Sequence, residues 1–139
     1  MTSMLIDFTN VEDYIPQCEP FQMIDRCVIN NDEFFEGFFT ITKDNPLVDG
    51  DVPSNSILIE SFAQTCASGF GYLAKDQEVD PGFIGAISKL EIYKNLKIGD
   101  LVHSKVYVKT KFEKIQLISG ELYIDGELIM DCNMKLVDS

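Results

Sequence analysis

The chain has 139 residues, 45% hydrophobic and 24% charged, the proportions of one globular domain long enough to bury a core. Its formal net charge of −12 disfavours nonspecific binding to nucleic acid or an anionic membrane, and no stretch offers the ~20 uninterrupted apolar residues of a membrane span. Cys18, Cys27, Cys66 and Cys132 have no C-x-x-C spacing and no accompanying histidines, a pattern of reduced, partly buried thiols with neither a metal site nor a disulfide framework.

In chain order, "MTSMLIDFTNVEDY" lacks the basic and long apolar regions of a signal peptide, so a cytoplasmic location is expected. "TNVE", Thr9 to Glu12, has capping-box spacing and predicts a short helix through Tyr14 that Pro16 ends. "QMIDRCVIN" and "EFFEGFFTIT" follow as strands. The second sets Phe35, Phe39 and Ile41 against Phe34 and Phe38, as expected of a strand covered on both faces. "KDNPLVDGDVPSN" reads as a loop. "SNSILIESFAQTCASGFGYLA" predicts one long helix, capped at Ser54 or Asn55 and ending near Ala74. Gly69 and Gly71 weaken its second half by propensity, which points to close packing there.

After a loop-like "KDQEVDPG" the remainder is strand. "FIGAISKLEIY" comes first, then "LVHSKVYVKTKF", with Val102, Val106 and Val108 alternating with His103, Lys105, Lys109 and Lys111. "IQLISGELYI" and "ELIMDCNMKLV" meet at Asp125-Gly126, a strong hairpin signal, and the last strand gathers Leu128, Met130, Cys132, Met134 and Leu136 on one face. A helix apolar nearly all round cannot lie on a surface, so a sheet of about six strands must wrap it. The expected fold is therefore α+β: a single domain over residues 1–139, with one long central helix cradled by a curved antiparallel sheet, the hotdog architecture.

At 3.6 residues per turn, Ser56, Glu60, Gln64, Ala67 or Ser68, and Gly71 form one narrow polar-to-small stripe. Glu60 and Gln64 are neighbours on it. A carboxylate beside Ile57, Ile59 and Phe62 is expected to be desolvated, which favours the protonated form that a general acid needs.

Two stretches carry a family resemblance. "IPQCEPFQMIDR" resembles the opening motif of the 3-hydroxyacyl-[acyl-carrier-protein] dehydratases, matching at Pro16, Pro20, Phe21, Ile24, Asp25 and Arg26. "GDVPSNSILIESFAQTCA" resembles their G-H-F-P loop and helix start, matching at Gly50, Pro53, Leu58, Ile59, Glu60, Ala63 and Gln64; "FIGAISKLEIYKNLKIGD" resembles a later strand and turn. The loop from Pro53 to Glu60 is short, which is closer to the aryl polyene and pigment-pathway subgroup.

The resemblance implies a hotdog protein acting on 3-hydroxyacyl thioesters held on phosphopantetheine, from an acyl-carrier protein or coenzyme A, with no bound cofactor. It also implies a site shared between two subunits, an apolar acyl tunnel, and Glu60 as general acid. The family's two histidine positions hold Gln17 and Asp51 instead. Gln17 can only exchange hydrogen bonds, and Asp51 is a far weaker base than imidazole. His103, the one histidine, reads as an exposed surface residue.

From Lys89 to Lys114 seven lysines face only Glu91, Asp100 and Glu113, leaving −16 for the rest of the chain. The run is read either as a solvated strand face or as docking for an acidic partner. Lys89, Lys94 and Lys97 are the candidates for carrier or coenzyme phosphates. Three functions follow: a dehydratase using Glu60 with Asp51 or a water held by Gln17, a carrier-binding subunit of a hotdog heterodimer, or an acyl thioesterase whose helix carboxylate is base or nucleophile.

Overall fold

The structure, a computed structural model, describes residues 5–75 and 83–138. The expected loop after the helix falls mostly at 76–82 and lies outside the described residues. The strands are β1 (Ile6–Phe8), β2 (Arg26–Asn31), β3 (Phe34–Thr40), β4 (Val48–Asp49), β5 (Val52–Pro53), β6 (Phe83–Ile92), β7 (Leu101–Phe112), β8 (Ile115–Ile124) and β9 (Glu127–Asp138); the helix α1 is Ser56–Leu73. Seven strands form one sheet in the order β1-β2-β3-β7-β8-β9-β6, every pair antiparallel. The small β4–β5 ladder precedes α1.

Glycines let the helix sit low on this sheet. A Cβ at Gly37 would lie 2.0 Å from Thr65 Oγ1, one at Gly69 2.5 Å from the Phe35 ring, and one at Gly120 2.4 Å from the Phe62 ring. Phe62, Ile57, Leu58, Val102, Val106 and Leu122 are completely buried between the layers. Each such side chain contributes roughly 1.5–3 kcal/mol by leaving water. Gly71 serves another contact: a Cβ there would meet Tyr14 O at 2.7 Å. Tyr14, Tyr72 and Phe8 close that end of the helix, with ring centroids 5.1–5.4 Å apart. The close packing expected at Gly69 and Gly71 is present, against two different elements.

Three local expectations need correction. "TNVE" forms a single 3₁₀ turn, Val11–Asp13, rather than a helix, and Asn10 Nδ2 donates to Asp13 Oδ2 (2.9 Å) instead of capping backbone. The short β1 was not foreseen, because three residues are too few for alternation to show. Strand β3 is covered by α1 on one face only. On the other, Phe34 stacks on Tyr107 (4.9 Å) and Phe38 on His103 (4.4 Å), with Arg26 over Phe38, so cross-strand ring stacking half-buries what a second layer was expected to cover.

Among the described residues no helix is long and apolar enough to cross a membrane, and no group of His, Cys, Asp or Glu could hold a metal ion.

Candidate functional site

The helix starts where the β4–β5 turn returns the chain. Ser54 Oγ accepts from Ser56 N–H at 3.1 Å, and the Ile57 and Leu58 N–H groups donate to the Ser54 and Asn55 carbonyls. Ser54 thus caps through its side chain, while Asn55 makes no side-chain cap bond. The first full turns then place Glu60 and Gln64 on one line, as the period requires.

Gln64 is the fixed point of the site. It is 1% exposed, yet its amide is fully engaged. Its Oε1 accepts from Met23 N–H at 2.5 Å, and its Nε2 donates to Phe21 O at 3.0 Å and to Glu60 Oε2 at 3.3 Å. The first two bonds pin the segment that enters β2, which holds the cis Glu19–Pro20 peptide, against the helix. The third gives Glu60 its only side-chain partner among the described residues. Glu60 and Ile59 are each half-buried, so the enclosure expected around the carboxylate is incomplete within one chain. Phe21 (58% exposed) and Val52 (68%) stand uncovered on the segments that flank it in sequence.

The two residues at the histidine positions do not join Glu60 by hydrogen bonds. Gln17 is half-buried and its Oε1, shielded from solvent, finds no partner. Asp51 is exposed at the turn between β4 and β5, after Gly50 at φ 64°. His103 corrects the sequence reading more sharply. It is half-buried, its Nε2 lies 2.7 Å from Glu36 Oε1, and its ring stacks on Phe38. It faces away from the helix: Gly37 and Ser104 pair across β3 and β7 on the side where Thr65 packs, so their neighbours Phe38 and His103 point to the opposite face.

The lysines are placed separately. Lys89 sits in the β6 bulge at φ 51° and lines a shallow outer cleft of about 340 Å³ with Glu91, Glu121 and Asp131. Lys94 is paired with Glu127 at 2.5 Å. Lys97 is exposed on the following loop, its backbone N–H held by Asp100. Of the three, Lys97 alone has no carboxylate against its ammonium group among the described residues, although Asp100 sits at its backbone N–H.

All four thiols are unpaired, with Cys18 exposed and Cys27, Cys66 and Cys132 buried. Burial pushes the Cys27 thiol up to about 12 and that of Cys132 up to about 11, and raises Cys66 on the helix further. None of the buried three offers a thiolate nucleophile near neutral pH. The signal that sequence reasoning missed is the Met23 N–H and Phe21 C=O pair, which only the fold brings to Gln64.

Among the described residues a single α-helix lies in the curve of one antiparallel sheet and carries a clamped, largely buried glutamate–glutamine pair, the architecture of the hotdog fold. The family model of the ApeP-like dehydratases matches residues 9–139. The chain belongs to the ApeP-like dehydratase family. It is similar to the 3-hydroxyacyl-[acyl-carrier-protein] dehydratase FabZ of Rickettsia massiliae (strain Mtu5), 26% identical over 135 residues and 90% of each chain. The FabZ of Syntrophotalea carbinolica is 21% identical over 140 residues, covering 96% of this chain and 95% of its own. In structure it resembles the dehydratase heterocomplex ApeI:P from Xenorhabdus doucetiae (TM-score 0.80, 17% identity, 93% of this chain and 90% of that one). A hypothetical thioesterase with coenzyme A from Streptococcus pneumoniae TIGR4 shares the fold more distantly (TM-score 0.61, 12% identity, 78% and 80%).

Proposed function

We propose that this chain is the glutamate-bearing subunit of a two-chain hotdog dehydratase that removes water from a 3-hydroxyacyl thioester on an acyl carrier. The observation that carries the reading is the position of His103. The only imidazole in the chain is bound to Glu36 on the sheet face opposite the helix, so it cannot serve as the base beside Glu60. The base therefore comes from a second hotdog chain. The structural neighbour ApeI:P is a dehydratase heterocomplex, which supports this, as do the uncovered apolar side chains Phe21 and Val52. Among the described residues strand β6 pairs only with β9, and with Leu90 (37% exposed) it offers an edge suited to pairing with such a chain.

In this scheme the partner's imidazole takes the proton alpha to the thioester carbonyl. The C–O bond at the beta carbon breaks as Glu60 protonates the departing hydroxyl, and water leaves as the double bond forms. Gln64 is a positioning residue: its amide, fixed by Met23 and Phe21, holds Glu60 toward the acyl chain. Gln17 lines the substrate path, where its orphaned oxygen can accept from substrate or water, and Lys97 takes the phosphate of the arm. Asp51, at an exposed turn, remains available as an auxiliary acceptor.

The test uses 3-hydroxyacyl-carrier proteins and intact mass to follow loss of water and cleavage of the thioester. The chain alone is expected to be inactive and the complex with a histidine-bearing hotdog homologue to dehydrate. Thioester cleavage by the chain alone, abolished by Glu60→Gln, would favour the thioesterase reading instead.

A further inference from the structure

Strand β7 outruns its neighbour β3. The two pair only as far as Phe34–Tyr107, and Val108 N–H donates to Glu33 O (2.8 Å) in the β2–β3 turn. Past that point the β7–β8 register shifts around Lys109, and the hairpin continues through Thr110–Phe112, turns at Glu113 (φ 55°) and Lys114, and returns at Ile115. This end of the sheet carries Phe112, 68% exposed, and Leu117, 46% exposed. Lys135 is the cross-strand partner of Leu117, Lys109 reaches over the Tyr107 ring and Lys114 sits in the turn, whereas Lys111, paired with Gln116 and through it with buried Leu136, points to the opposite face. All four lysines are exposed, and none has a carboxylate at ion-pair distance among the described residues. Among the described residues Glu113 is the acid on the hairpin end itself, with Asp32 and Glu33 bordering its base and Asp138 ending β9 just past Val137, the partner of Ile115.

Lysines on an open strand edge guard against edge-to-edge aggregation, and that accounts for Lys109 and Lys111. It does not account for a phenylalanine left two-thirds exposed among them. An aromatic anchor within a charged rim is the anatomy of a protein interface. We propose that the end of the β7–β8 hairpin docks a protein with an acidic surface around an apolar cleft, Phe112 and Leu117 entering the cleft and Lys109, Lys114 and Lys135 meeting its rim. A compact acidic protein can engage three lysines without approaching the remainder of a chain whose net charge is −12, whereas a polyanionic surface such as a membrane cannot.

The location separates this surface from Glu60. Gly69, near the end of α1, packs on Phe35, whose cross-strand partner is Val106. Phe112 lies further along β7 in the same direction, past the helix C-terminus, while Glu60 sits toward the other end. Docking there leaves the glutamate accessible, so the proposal does not depend on the dehydratase reading.

The experiment titrates the full chain against a fluorescein-labelled helical peptide with glutamates around a central leucine pair, read by anisotropy at low and high salt. Saturable binding weakened by salt is expected, with Phe112→Ser and the double variant Lys114→Glu/Lys135→Glu each weakening it about tenfold or more, in keeping with hot-spot losses. Lys43→Glu, a charge reversal on the exposed loop after β3, leaves it unchanged. Circular dichroism checks that the variants are folded. Absence of binding at low salt, equal loss with Lys43→Glu, or preference for phosphatidylglycerol vesicles over the peptide would overturn the proposal.

Discussion

Gln64 makes three hydrogen bonds in a position with almost no solvent access, and two of them satisfy backbone groups 41 and 43 residues away in sequence. Gln64→Leu keeps the volume and orphans both, so a loss of about 1–3 kcal/mol is expected in urea unfolding. Turnover of the assembled dehydratase should also fall, since Glu60 loses its only side-chain partner. His103 gives the opposite pattern: His103→Asn removes a mostly buried contact with Glu36 and a stack on Phe38, costs about 1–2 kcal/mol, and leaves turnover unchanged. The thiols supply a pH test. In the folded chain Cys27, Cys66 and Cys132 all hold their protons above the ordinary value of 9.0 because burial penalises the thiolate. The unfolded chain releases them first, so the native state binds more protons above about pH 9 and its stability falls as pH rises from there toward 12. Melting curves across that range check the direction, and a thiol reagent at pH 8 should label Cys18 alone in the native protein.

At the scale of elements, the helix–sheet contact depends on absent side chains. Gly37→Ala would drive a Cβ into Thr65, which is buried with its hydroxyl bonded to Ser61 O (2.7 Å), so it cannot swing aside. We expect about 1–3 kcal/mol of destabilisation, largely recovered in Gly37→Ala/Thr65→Ala, and denaturation of the four corners of that cycle measures the coupling. The long helix, the β7 to β9 strands and the Asp125-Gly126 turn were legible because period and turn chemistry are local. The glutamate–glutamine stripe was legible for the same reason. The Gln64 clamp, the Phe34–Tyr107 and Phe38–His103 stacks and the role of Gly37 were not, because each joins segments whose register only the folded sheet sets. His103 was misread because alternation in β7 shows which face it occupies but not what crosses from β3 to meet it.

At the scale of the molecule, the proposed function gives this chain half of an acid–base pair. Glu60 is clamped but half-open, the positions of the two expected imidazoles hold an orphaned amide and an exposed carboxylate, and the only histidine is engaged across the sheet. In the proposed assembly, the β6 edge and the apolar side chains near the helix start are where a second hotdog chain would complete the site. The decisive measurement is dehydration of a 3-hydroxyacyl-carrier protein by the complex of this chain with a histidine-bearing hotdog homologue, comparing wild type with Glu60→Gln in this chain alone. Turnover by the wild-type complex, none by the isolated chain, and loss in the Glu60→Gln complex is the predicted result. Full turnover in the Glu60→Gln complex would contradict it and leave this chain as a binding subunit only.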